Sequence, residues 1–564
     1  MTATWTSARG IPVPDRVPAP LRRAYVEQGL VPGRDLYTLF RAQVAEHPER
    51  PAIIDGEGTL DYATLDQRAR RIAAALVAAG AGAGDVVGVH LPGGRRALAA
   101  DLAVAAIGAV ALPYPVGRGR QDSLALLGRA RARAVITTAE WNGVPLARTL
   151  ADLRADLPHL RTVAVFGAAP DGCVPLDPWL VGRPDGEFRE TVAVDAEAPA
   201  RILVTSGSED RPKMVAYSHN AMAGGRGNYV RALRRGADPM RCLVLMPLAS
   251  SYGSLGLLVL VRLGGTLVLL DGFDPAAALR AVTEHRPSHL FAVPTMLRRI
   301  AEAPREPGED LSSLRAVVSS AAPLPPQTLR VTLARFGCPV VNIYGSTDGV
   351  NCHTTWTRPA TDTRRAGRPD PAVAEIRVVG PDGRTLPSGE AGEIQARGPM
   401  TPLCYPDAPE LDAAYRTPDG WVRTGDRGLV DGEGELWVLD RLRHTVIRGG
   451  YTISPAEVER HIGAHPAIAD VACVPVPDPD LNERLCACVA RRRGTEPPTL
   501  SELQTFLERE RGLERRKLPE HLLALDRLPL GPTGKVCRST LARLAVTQAA
   551  GSARTPSTAQ GASR

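Results

Sequence analysis

An α/β fold, in which a large N-terminal domain of mixed, largely parallel sheets precedes a small α+β domain, is predicted by three observations. Short apolar runs alternate with helical periods from Val86 to Ile343, the signature of buried parallel strands joined by helices. After Gly367 the pattern changes to short β-segments punctuated by Pro381-Asp382-Gly383, Gly389 and Gly392. Finally, a chain of 564 residues, 44% hydrophobic and 23% charged, is too long for one compact core and too apolar to stay unfolded.

The elements follow in order. The N-terminal stretch is broken by Pro12, Pro14, Pro18, Pro20, Arg22 and Arg23 and has no continuous apolar segment, so no secretory signal is expected and a cytoplasmic location is. Leu65, Ala69, Ile72, Ala73, Leu76 and Val77 then share one helical face, with Gly80 as the stop. Strands are predicted at Val86 to Val89, Ala134 to Thr137, Val163 to Phe166, Ile202 to Thr205, Leu243 to Met246, Thr266 to Leu270, Leu290 to Val293 and Val340 to Ile343. The glycine-marked segments beyond Gly367 predict an antiparallel or β-barrel-like piece that closes a domain of residues 1–440. In residues 441–546 a helix from Pro455 to Ile462, strands near Val471 and Ala487 and a helix from Leu500 to Arg511 predict the small domain. Residues 547–564, mostly Ala, Ser, Thr and Gly, predict a disordered tail.

Charge and cysteine usage exclude several classes. The net charge is +7, but the basic residues are interleaved with 61 acids rather than gathered in a stripe, so nucleic acid is not an expected partner. The apolar stretches Leu102 to Pro113 and Tyr252 to Val261 are too short to span a membrane and abut Asp101 and Arg262. Nine cysteines, an odd number without metal-type CxxC spacing, read as reduced thiols. Cys486 and Cys488 fall on one face of a strand and read as core thiols, not metal ligands. Cys352 and His353 are chain neighbours, which do not face one another in a strand or helix, and so form no nucleophilic pair.

Lysine is the informative residue. Only Lys213, Lys517 and Lys535 occur among 68 basic residues, and a lysine that persists in an arginine background marks a site where a compact ammonium is needed and a planar guanidinium does not fit. Two of the three lie in glycine-marked loops. The stretch Leu203-Val-Thr-Ser-Gly-Ser-Glu-Asp-Arg-Pro-Lys-Met-Val215 follows a predicted strand and offers hydroxyls, a glycine and a lysine that can wrap phosphate oxygens. Neither it nor Gly531-Pro-Thr-Gly-Lys535 fits the GxxxxGK[ST] phosphate loop.

Together with Asn342-Ile-Tyr-Gly-Ser-Thr-Asp348, Val422-Arg-Thr-Gly-Asp426, Asp440-Arg441, Gly449-Gly450 and Gly534-Lys535, in this order and spacing, that loop resembles the AMP-forming adenylating enzymes, which include acyl- and aryl-CoA synthetases, adenylation domains and luciferases. The resemblance covers roughly residues 35 to 545. It implies that a carboxylate attacks the α-phosphate of ATP, that pyrophosphate leaves, and that a thiol such as that of CoA captures the acyl-adenylate, with the small domain mobile between the two steps. By resemblance, Thr205, Ser206, Gly207, Ser208 and Lys213 would hold the β- and γ-phosphates. Tyr344, Gly345 and Ser346 would line the nucleotide, with Tyr344 stacked on adenine, and Thr347 would contact the α-phosphate. Asp348 would hold Mg²⁺ through hard oxygen. Asp426 and Arg441 suit the ribose hydroxyls as acceptor and donor. Arg443 falls at the family's hinge position, and Gly449 and Gly450 at the loop lining the pantetheine tunnel, with a plain turn as the competing reading. Lys535 matches the adenylation lysine, whose charge bridges two anions as they react.

Several positions depart from the family pattern. Glu209, Asp210 and Met214 replace neutral or glycine residues of the phosphate loop; an acid about 4 Å from a phosphate is repelled by roughly 4 kcal/mol at an effective dielectric of 20, so both are expected to face outward or pair with Arg211. Asp348 is one methylene shorter than the usual Glu. In the acid-pocket segment Pro247-Leu-Ala-Ser-Ser-Tyr-Gly253, Ser250 stands where relatives have His or Asp, which disfavours α-amino acids because their ammonium group lacks a partner. Tyr252 and Gly253 belong to the same pocket segment, and Ser320 and Ala321 replace a glycine pair, which predicts a smaller, more polar pocket. The leading reading is a carboxylic acid:CoA ligase. The alternatives are an adenylating enzyme with another acceptor (a carrier-protein thiol or an amine), one that activates nitrite to diazotise an aromatic amine, and a nucleotide-binding relative without catalysis.

Overall fold

The computed structural model describes residues 4–181, 188, 194–205, 212–234, 236, 238–353, 362–441, 446–448, 451–478, 481–531 and 534–552. They form two compact units. The first comprises the residues up to Thr424 together with Leu429–Trp437, and the second comprises Gly425–Gly428 and the chain from Val438 onward.

Two large sheets frame the first unit. One has seven strands in the order Met214–Ser218, Pro199–Val204, Val110–Pro113, Val86–His90, Ala134–Thr138, Thr162–Phe166 and Val174–Pro175. The other has eight, in the order Val350–His353, Val340–Ser346, Ala316–Ser319, His289–Ala292, Arg241–Val244, Thr266–Leu269, Pro51–Asp55 and Gly58–Asp61. Neighbours run parallel throughout, except in the hairpins Pro199–Val204/Met214–Ser218, Val340–Ser346/Val350–His353 and Pro51–Asp55/Gly58–Asp61 at the sheet edges.

Burial on both faces explains the continuous apolar runs of the strands. Val87 and Val89 join Val244, Phe291 and Val318 in one core shared by the two sheets. Val86, Val110 and Val163 line the opposite face of the first sheet, and Leu243, Val268, Leu290 and Val317 that of the second. The helix expected around Leu65 spans Tyr62–Ala78, and its N-terminus is capped by Asp61, which accepts from Thr64 N at 2.7 Å. No described helix is long and apolar enough to cross a membrane.

The expected barrel-like piece is instead an open sheet of five strands, ordered Arg365–Gly367, Leu436–Arg441, Val422–Val430, Gly392–Arg397 and Glu375–Val379. Closure requires the two edge strands to pair with one another, and among the described residues each edge strand has a partner on one side only.

In the second unit Ile468–Asp478 pairs antiparallel with Asn482–Arg491, on whose other side His521–Leu525 runs parallel. Cys486 and Cys488 point, as their spacing requires, to one face of this sheet, where Leu541 and Ala545 cover them; Leu485, Ala487 and Val489 face Val458 and Leu503 on the other. The final helix, Arg538–Ser552, continues beyond Val546 into the stretch whose composition predicts a tail. Alanine favours helix, and Ala545 and Ala549 pack on the sheet, which carries the helix through that composition.

Candidate active site

Two of the edge hairpins carry the residues singled out by sequence. In the first, Val204 pairs with Met214 across the mouth of the loop that the sequence predicts to hold phosphate. Thr205 N donates to Lys213 O at 2.9 Å, and Lys213 N donates to Thr205 Oγ1 at 3.1 Å. Arginines brace both stems: Arg118 Nη2 donates to Thr205 O at 2.9 Å and Arg129 Nη1 to Pro212 O at 3.1 Å. The Lys213 ammonium lies 3.8 Å from the centre of the Tyr415 ring, a cation–π position. Ser206, Gly207 and Ser208, with Glu209 and Asp210, lie outside the described residues, as do Arg443, Gly449 and Gly450.

The second hairpin pairs Tyr344 with Cys352, Gly345 with Asn351 and Ser346 with Val350, so Thr347, Asp348 and Gly349 form the turn. Gly349 has φ of 116°, and a Cβ there would stand 2.5 Å from Pro402 Cδ, so only glycine fits. The Asp348 carboxylate is held by two hydroxyls, Ser346 Oγ at 2.7 Å and Tyr405 Oη at 2.6 Å, while its own N–H donates to Ser346 Oγ at 3.0 Å. Tyr217 Oη, on the strand that leaves the phosphate loop, donates to the Thr347 carbonyl at 2.7 Å. Thr205, Lys213, Thr347 and Asp348 are thereby drawn into one assembly. Burial first, and the Asp348 charge after it, push both tyrosine hydroxyls up, so they remain donors.

A fixed carboxylate with lone pairs to spare suits a hard divalent cation that takes its remaining ligands from phosphate and water. Among the described residues no cluster of three His, Cys, Asp or Glu could hold a metal by itself, so Asp348 fits Mg²⁺ only in company with a polyphosphate.

The acid-pocket segment is a folded turn. Ser250 N donates to Pro247 O at 2.9 Å, and Ser250 Oγ accepts from Gly253 N at 2.9 Å. A Cβ on Gly253 would stand 2.1 Å from Pro247 O, which explains the glycine. Tyr252 Oη donates to Val318 O at 2.8 Å, and Ser320 Oγ to Ile343 O at 3.3 Å. Ala321 sits at φ of 74°, a left-handed backbone conformation that favours glycine.

Beneath this turn lies a residue that the sequence does not mark. Arg226, 2% exposed, donates through Nη2 to Ser251 O and to Ser254 Oγ at 3.1 Å, and its guanidinium lies 5.4 Å from the Tyr217 ring centre. Burial and the nearby Arg201 pull its pKa down. Arg201 itself lies 2.9 Å from Asp101. With arginine making up nearly all of the 68 basic residues, nothing in the sequence separates Arg118, Arg129 or Arg226 from the solvated ones.

In the second unit Asp426 is buried, and Asp440 lies 3.8 Å from Arg427. Burial raises the Asp440 pKa, with Arg427 and a hydrogen bond from Ser454 opposing and Glu457 and Asp426 adding to the rise. Arg441 ends the strand Leu436–Arg441. Lys535 is half-buried in a tight turn, where Leu530 bridges Val536, Gly531 N donates to Lys535 O at 2.7 Å and Gly534 has φ of 76°. Lys517, the remaining lysine, donates to Glu457 at 2.8 Å and serves the fold.

The chain matches the model of the AMP-binding enzymes over residues 40–405 and that of the AMP-binding enzyme C-terminal domain over residues 457–535. It is 31% identical to triostin synthetase I of Streptomyces triostinicus, covering 96% of this chain and 99% of that protein. To feruloyl-CoA synthase of an Amycolatopsis species it is 32% identical, over 91% of this chain and 99% of the relative. The crystal structure of ATP-bound MatB from Rhodopseudomonas palustris superposes with a TM-score of 0.79 at 27% identity, covering 91% of this chain and 99% of that one. The chain thus belongs to the AMP-binding enzyme family, as an AMP-forming enzyme of the acyl- and aryl-CoA synthetase kind.

Proposed function

We propose that this enzyme adenylates an aryl or short acyl carboxylic acid and passes the acyl group to the thiol of CoA. In the first step a carboxylate oxygen bonds to the α-phosphorus of ATP as the bond to the bridging oxygen breaks, releasing pyrophosphate; in the second the thiolate attacks the acyl carbon and AMP leaves. The observation that carries this reading is the hydrogen bond from Tyr217 Oη to Thr347 O, 2.7 Å, which locks the α-phosphate turn to the strand leaving the phosphate loop.

Each role rests on chemistry available in this chain. Thr205 and Lys213 serve the β- and γ-phosphates, Thr347 the α-phosphate, and Asp426 with Arg441 the ribose. Asp348 holds Mg²⁺, which when bound supplies positive charge to the phosphates. Lys535 neutralises the two anions that meet in adenylation. The turn Pro247–Gly253 contains no carboxylate, which favours acids without an α-ammonium group.

Pyrophosphate release with ATP and Mg²⁺ tests the proposal, using aryl, alkyl and α-amino acids and nitrite, with and without CoA. Release with an aryl or short acyl acid, accelerated by CoA, supports it; release that ignores CoA or requires nitrite rejects the acceptor or the acid. Lys535→Ala should lower adenylation on the order of 10²- to 10³-fold while ATP still binds, and normal turnover in that variant refutes the lysine's role.

A further inference from the structure

Arg416, which follows the helix Pro409–Tyr415, is 8% exposed, and among the described residues none of its three guanidinium nitrogens has a hydrogen-bond partner. Such a group is costly to keep, because a buried cation loses its hydration and here gains no acceptor in return. Two acids of this region are committed elsewhere: the buried Asp412 accepts from Tyr405 N and Arg16 Nε at 3.1 Å each, and the half-buried Asp348 accepts from Ser346 and Tyr405. The guanidinium stands 5.4 Å from the ring centre of Tyr405, and both Tyr405 and Tyr217 feel its charge together with that of Asp348.

Three lines therefore converge on Arg416 from residues assigned to phosphate. Tyr405 leads to Asp348, Tyr217 leads to Thr347, and the chain neighbour Tyr415 carries the Lys213 ammonium on its face.

We propose that Arg416 is the buried positive charge of the polyphosphate subsite, a positioning residue that acts from behind Tyr405 to favour the triphosphate of ATP and the leaving pyrophosphate. The proposal rests on the adenylation reading above. Charge in a low-dielectric interior is screened weakly, so Arg416 acts on these polyanions without touching them, and acts much less on AMP, which lacks the β- and γ-phosphates.

Calorimetric titration of the full chain with ATP, pyrophosphate and AMP, in the presence of Mg²⁺, reads the effect. Arg416→Met should weaken ATP and pyrophosphate about tenfold and AMP less than twofold, and should melt no lower than the wild type, because it removes an unpaired buried charge. Arg416→Lys, which keeps the charge, should recover most of the lost affinity, and Arg416→Gln should behave as Met does, providing a second neutral variant should the first not fold. Equal weakening of all three ligands, unchanged ATP affinity in both neutral variants, or failure of Lys to restore binding overturns the proposal. Wild-type protein that binds none of the three ligands refutes the adenylation reading, an outcome seen before any variant is made.

Discussion

Ala321 holds a backbone conformation that suits glycine, and its φ of 74° costs a residue with a Cβ on the order of 1–3 kcal/mol. Part of that is offset by the greater freedom glycine has in the unfolded chain. Ala321→Gly should therefore stabilise the first unit by about 1 kcal/mol, measured as a rise in urea midpoint at unchanged slope; a lower midpoint would show that the strand end at Ser319 relies on the methyl group. Residue identity is legible in the sequence where the background is silent. Lys213 and Lys535 stand out because lysine is rare, and Thr347 and Asp348 because a glycine-bearing turn frames them. Arg226 and Arg416 are illegible for the opposite reason: their distinction is burial without a counter-charge, which depends on residues far away in the chain and leaves no local pattern.

At the scale of elements, apolar runs locate the parallel strands because burial on both faces writes itself into sequence as an unbroken hydrophobic stretch. The return strands Met214–Ser218 and Val350–His353 escape such a reading. They are short edge strands, and their place is fixed by pairing rather than by periodicity. The same holds for the π-helical stretch Ala221–Arg226, where Gly224 and Gly225 allow close approach. A Cβ on Gly225 would stand 2.0 Å from Met400 N, a main-chain atom that cannot swing aside. Gly225→Ala should cost about 3 kcal/mol by overpacking and displace Arg226 from the Ser251–Ser254 turn. Chemical denaturation checks the first effect, and a rise in KM for the acid with little change in that for ATP checks the second.

For the whole molecule, the two-unit α/β layout is legible because helices and strands alternate before Gly367 and not after it, whereas the open edge of the five-stranded sheet is not, since closure depends on which strands meet. The first unit also carries a pH dependence that no motif announces. His90, His219 and His289 are buried, and desolvation pushes each down to about 4. Their folded-state values lie below the unfolded value of about 6.5, so the unfolded chain binds more protons between the two. Stability is complete above pH about 6.5 and falls as the pH drops toward 4, with a limiting slope of about 4 kcal/mol per pH unit for three protons. Denaturant midpoints taken from pH 7 to pH 4.5 should fall accordingly, and His289→Gln should remove about a third of the slope; a flat profile would mean that these rings are protonated in the native protein.

The tie between the two hairpins runs from a tyrosine hydroxyl to a carbonyl of the main chain, not to a side chain. Position 347 can accordingly be rewritten without cutting the tie: Thr347→Ser, Val or Ala all present the same carbonyl to Tyr217. With the α-phosphate role proposed for Thr347, structural support and ligand contact fall on separate atoms of one residue, which leaves its hydroxyl open to tuning by selection or by design while the scaffold beneath it stays in register.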